Sequence, residues 1–124
     1  MAEKLVGVAV GGNTIAEVQS MIVRAEELGI DAAWMTTGGT RLDSMTCFAA
    51  AAASTKQIKL GTSIVPTYPH HPLVMVQQAQ VVAQLAPGRF RLGVGPSHRP
   101  TIESMGLEFD APLAHLKEYL QILK

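Results

Sequence analysis

Apolar residues along this chain alternate between two kinds of run. Short, nearly continuous ones, Leu5 to Val10, Ala32 to Met35, Ile58 to Val65 and Phe90 to Val94, read as strands of a buried parallel sheet. Between them apolar residues recur at three- and four-residue steps, as on one face of a helix. Ile15, Val18, Ile22 and Ala25 form the first such face, preceded by Thr14 and Glu17 at capping-box spacing and closed by Leu28-Gly29. Asp43 can cap a helix running through the alanine block at 49–53. Pro72 suits the first turn of a helix with Leu73, Val76, Gln80 and Ala83 on one face, and Pro87-Gly88 stops it. Pro112 opens a last helix with a stripe of Leu113, Leu116, Leu120 and Leu123.

Four strand–helix units in succession imply parallel strands with right-handed crossovers. Two architectures fit: an open doubly wound sheet, or the amino-terminal half of a (β/α)8 barrel, which when complete takes about 250 residues. At 124 residues the chain supplies one domain and half of a barrel's elements. The final helix reaches Lys124 with no glycine stop, so a longer parent is expected.

Composition narrows the partners. Ten basic residues balance ten acidic ones, so nothing drives attraction to nucleic acid or an anionic membrane. The first apolar run falls far below the roughly 20 residues of a membrane span. The lone Cys47 excludes an internal disulfide and fits a cytoplasmic location; inside an expected helix with no activating base, it reads as packing.

Candidate chemistry gathers in the loops after the strands, where ligands bind in parallel α/β folds. Gly61 to Pro72 runs from a strand through a polar, proline-rich loop into a helix. Gly93-Val94-Gly95-Pro96-Ser97-His98-Arg99-Pro100 joins close backbone approach at glycine to a hydroxyl, an imidazole and a guanidinium. A dinucleotide fingerprint would need glycine at His98, so this loop is not one. Gly95, Ser97 and Arg99 are candidates for holding a phosphate or ribityl tail; the plain alternative for Arg99 is a solvated side chain. His98, His70 and His71 all fall in such loops, and His98 is the first candidate for proton exchange, its alternative being a hydrogen-bonded loop histidine. His71 can cap the following helix, and His115 reads as surface. Adjacent histidines without a carboxylate cluster give no expectation of a metal. Trp34 is a pocket wall or core.

Several segments resemble the luciferase-like monooxygenase family, in particular its deazaflavin F420-dependent oxidoreductase branch. They are Ala33-Trp34-Met35-Thr36-Thr37-Gly38-Gly39, Ile58 to Thr67, His71-Pro72-Leu73-Val74 and Ala86 to Pro100. The resemblance covers the chain in register, but only the first half of a family member. It implies half of a TIM barrel, a reduced F420 or alternatively FMN cofactor, a small organic substrate, and often a homodimer packed through the early helices. It also implies a non-prolyl cis peptide at the end of the third strand, here Ser63–Ile64, with Ile64 against the planar ring and Thr62 and Ser63 offering hydrogen bonds to its heteroatoms. Thr36 and Thr37 stand where many F420-dependent relatives carry acidic and histidine residues that meet cofactor and substrate. Hydroxyls cannot act as ordinary acid or base near neutral pH, so that proton chemistry does not transfer. A self-associating, non-catalytic half-barrel and a phosphosugar-binding barrel are the competing readings.

Overall fold

The protein is described by a computed structural model over residues 4–124. In chain order it contains β1 (Gly7–Ala9), α1 (Ile15–Glu27), β2 (Ala32–Met35), α2 (Ser44–Ala52), β3 (Lys59–Thr62), β4 (Val65–Pro66), α3 (Pro72–Leu85), β5 (Phe90–Arg91), β6 (Val94–Gly95), α4 (Arg99–Ser104) and α5 (Pro112–Leu123). All pairings are parallel: β1-β2-β3-β5 form one sheet and β4-β6 a second, shorter one. The expected third and fourth strands are therefore each broken midway, at Ser63-Ile64 and at Leu92-Gly93. Across the break the Thr62 hydroxyl takes the place of a backbone group, donating to Gly93 O at 2.8 Å and accepting from Gly93 N at 2.7 Å. Gly93 O also accepts from Val65 N at 2.9 Å, which restarts the ladder.

Helices cover one face of the sheet. Val8, Ala33, Met35 and Leu60 point into the core, where Val18, Ile22, Met45, Phe48, Met75 and Val82 meet them. The other face is open: Gly7, Ala9, Lys59 and Arg91 are exposed. The first apolar run is thus not buried on both sides, and Leu5 and Val6 remain 68% and 56% exposed. Trp34 lies half-buried on the open face, flat over glycine; a Cβ on Gly61 would come within 2.3 Å of its ring. It borders a concavity of about 440 Å³ near the amino ends of the strands.

Local signals set the helix starts. The Thr14/Glu17 capping box forms with both of its bonds, at 3.2 and 3.4 Å. Asp43 caps α2, and Pro72 and Pro112 open α3 and α5. The expected faces are less well met. In α3 the buried residues are Met75 and Val82, while Leu73 is 61% exposed. In α5 it is Tyr119 that is buried, and Leu113 is 83% exposed. Both helices carry apolar residues around much of their circumference, so spacing alone leaves the phase open. Helix α4, expected as loop, is held by buried Ile102. Among the described residues no helix is long and apolar enough to cross a membrane.

A polar brace ties the far ends of these elements together. The Glu26 carboxylate accepts from Lys56 N, Gln57 N and Ile58 N at 2.8–2.9 Å, and the Arg89 guanidinium donates to Ile58 O at 2.9 Å. Desolvation pushes the Glu26 carboxyl up, but the three N–H donors and the Arg89 charge outweigh it and hold its pKa below the ordinary 4.5. With the folded pKa lower than the unfolded one, its contribution is complete above 4.5 and is lost as pH falls through the folded value. The stability difference between wild type and Glu26→Gln should therefore shrink on acidification, read by urea denaturation from neutral pH downward; a difference constant with pH would contradict the assignment.

Candidate functional site

The carboxyl ends of the strands converge on the Ser63–Ile64 peptide, which is cis, as the family resemblance implies. It is stitched to both neighbours: Ser63 N donates to Met35 O at 2.9 Å, and Thr37 N donates to Ile64 O at 3.2 Å. The Ile64 side chain is half-buried and lies toward Gly95, where a Cβ would come 3.1 Å from Ile64 Cδ1. Glycine at 95 thus gives Ile64 its seat. The outcome is an apolar ledge with exposed Ser63 beside it and exposed Thr36 at the end of β2.

Several expected ligand groups turn out to have structural partners. Thr62 is 1% exposed and its hydroxyl is spent on both polar groups of Gly93, so it offers nothing to a ring heteroatom. The Thr37 hydroxyl is hydrogen-bonded to the Ser44 hydroxyl and accepts from Ser44 N at 3.0 Å, which fixes the start of α2. Ser97 is half-buried with a left-handed φ of 63°. His98 is exposed at the start of α4, with no side-chain cap bond. Arg99 begins that helix, pairs with Glu103 at 3.2 Å and lies 5.1 Å from the Phe109 ring centroid. An ion pair this exposed is worth little, so the guanidinium is free to exchange partners.

His71 does cap α3, its Nδ1 accepting from Leu73 N at 3.2 Å. His115, expected at the surface, is instead half-buried: it stacks on Tyr68 at 3.8 Å and shares a 2.8 Å hydrogen bond with the Thr67 hydroxyl. Tyr119, its phenol pushed up to about 12 by burial, donates to His70 O at 2.7 Å. Helix α5 thereby grips the loop leaving β4. Nothing local in the sequence announces contacts made across so many residues. Cys47 is buried; burial first, then the Asp43 carboxylate, push its thiol pKa up, the opposite of activation.

Two adjoining concavities of about 420 and 370 Å³ open at the carboxyl ends of β1 and β2, and Thr36, Thr40 and Arg41 line both. Arg41 was missed from the sequence; its signal is a lone cation in a loop otherwise of glycine and threonine.

Parallel β/α units with helices on one face and a ligand-facing carboxyl edge define half of a TIM-type barrel. The chain belongs to the luciferase-like monooxygenase family, whose match spans residues 2–124. It is 34% identical over 122 residues to the F420-dependent glucose-6-phosphate dehydrogenase of Nocardia farcinica, covering 87% of this chain and 36% of that protein. The coenzyme F420 dependent tetrahydromethanopterin reductase of Methanopyrus kandleri superposes with a TM-score of 0.86 at 26% identity, over 98% of this chain and 40% of that one. The oxygenating constituent of 3,6-diketocamphane monooxygenase from Pseudomonas putida, in complex with FMN, superposes at 0.85 over 98% and 38%; at 20% identity it speaks for the fold alone. The chain spans about a third of the length of the curated relatives it matches, 31% and 36% in two cases.

Proposed function

We propose that this chain forms the cofactor platform of a luciferase-like, F420-dependent oxidoreductase that moves a hydride between a deazaflavin and a small organic substrate. The observation that carries the reading is the ledge of Ile64 backed by Gly95, flanked by the exposed Ser63. Ile64 supports the ring and Ser63 hydrogen-bonds its edge; Thr37 and Thr62 position the ledge rather than touch the ring. Ser97 and Arg99 take the phosphate-bearing tail, and exposed His98 is the group available to exchange a proton. Thr36 faces the substrate side. The cofactor supplies the redox chemistry, and the protein supplies orientation and electrostatics. FMN is the alternative cofactor, with oxygen then a reactant of a monooxygenation.

The cytoplasm is the proposed location and a homodimer the proposed assembly. In support of the latter, a largely apolar groove of about 190 Å³ runs between α2 and α3, lined by Met45, Ala49, Val81 and Gln78, whose Oε1 is buried with no hydrogen-bond partner among the described residues. The open sheet face with exposed Leu5 and Val6 favours a second reading, a self-associating module without catalysis. Titration of F420 and FMN, followed by cofactor fluorescence, separates the two readings. Saturable binding of one cofactor, weakened about tenfold in Ile64→Ala while the thermal midpoint is kept, is the expected result. A dimer by sedimentation that ignores both cofactors would sink the oxidoreductase.

A further inference from the structure

The paired concavities beside the ledge contain a feature that the platform does not use. Among the described residues, Arg41 is the only charged residue lining either of them. Among the described residues the ion pairs are Arg24–Glu27 and Arg99–Glu103, and Arg41 belongs to neither. The carboxylate nearest in sequence, Asp43, and Glu17, which is bonded to the lining residue Asn13, form no ion pair with Arg41 among the described residues. Asp43 accepts from Thr46 N and Oγ1 at 2.8 and 2.6 Å, and Glu17 accepts from Asn13 N at 2.8 Å. Among the described residues the hydroxyls of Thr36 and Thr40, which share both concavities with Arg41, have no hydrogen-bond partner, unlike that of the neighbouring Thr37.

We propose that Arg41, Thr36 and Thr40 form an oxyanion subsite that selects a substrate bearing a carboxylate or phosphate group. A guanidinium presents a planar fork of donors matched to two oxygens of such a group, and flanking hydroxyls donate to the remaining lone pairs. A concave site whose one charged lining residue is a cation outside the ion pairs of the described residues also draws anions by its field. The position fits selection: Thr36 directly precedes Thr37, whose N–H is bonded to Ile64 O, so an anion held at Arg41 anchors the substrate next to the ledge. The role in selecting a substrate rests on the oxidoreductase reading; the anion site itself does not.

Titrating the cofactor-free 124-residue chain with inorganic phosphate and, separately, with succinate tests the subsite, read from the backbone amide NMR shifts of residues 36–42. Saturable shifts confined to this loop are expected, with affinity reduced about tenfold in Arg41→Gln and partly retained in Arg41→Lys, which keeps the charge without the fork. A preference for phosphate marks a phosphate ester as the substrate class, and a preference for succinate marks a carboxylate. Absent shifts, shifts centred on Arg99 instead, or equal binding by Arg41→Gln overturn the proposal. F420 titration of the same samples is scored separately: failed cofactor binding with intact anion binding rejects the oxidoreductase and keeps the subsite, and the converse rejects only the subsite.

Discussion

Gly93→Ala is expected to destabilise the protein by about 3 kcal/mol or to prevent folding, because small-to-large changes at a closed contact force the backbone apart. The new Cβ would come 2.2 Å from Thr62 O, and a backbone oxygen cannot rotate away as a side chain can. This contact sits where the sheet divides, so the same displacement shifts Val65 and, with it, the Ile64 ledge. Gly11→Ala is the matched control: nothing lies within 4 Å of its Cβ, and a change within about 0.5 kcal/mol is expected. Thermal and urea unfolding of the two variants measure the contrast. Equal stability would mean that the division of the sheet does not depend on close approach at Gly93.

Thr62→Val removes only the hydroxyl from the other side of that junction and should cost about 1–3 kcal/mol, the usual penalty for a stranded buried donor. Gly93 O keeps its bond from Val65 N, but Gly93 N loses its partner. Thr62→Ser, which keeps the hydroxyl, should recover most of the loss, and the Gly93 amide should exchange with solvent faster only in the valine variant. A valine variant as stable as wild type, with the serine variant weaker, would show that the methyl, not the hydrogen bonds, matters. On the proposed function, either variant should weaken F420 binding only as far as it loosens the ledge, which separates positioning by Thr62 from the direct contact proposed for Ser63 and Ile64.

Much of the scaffold is legible without coordinates. The capping box at Thr14, the cap at Asp43 and the prolines at 72 and 112 act over a turn of helix, so they are written in neighbouring letters. The carboxyl-end loops follow from the strand–helix order, and the family resemblance leads to Ser63–Ile64; Gly95, read as a candidate for a cofactor tail, lies instead against Ile64. The phases of α3 and α5 were not legible, because Leu73 and Leu113 are as apolar as Met75 and Tyr119 and only the neighbouring elements decide which side is covered. Helix α4 escaped for a related reason: its six residues carry little periodicity, and a single buried Ile102 holds them.

What the chain determines by itself is the order of parallel β/α units, their caps and the family to which they belong, since these depend on contacts between near neighbours and on contiguous motifs. What required the folded structure is which hydroxyls remain available. Thr62 and Thr36 read alike as letters, yet one meets Gly93 across a separation of 31 residues and is consumed, while the other opens beside Arg41. Packing brings distant segments together, and a polar group's chemistry depends on whether that meeting leaves it a free lone pair or proton.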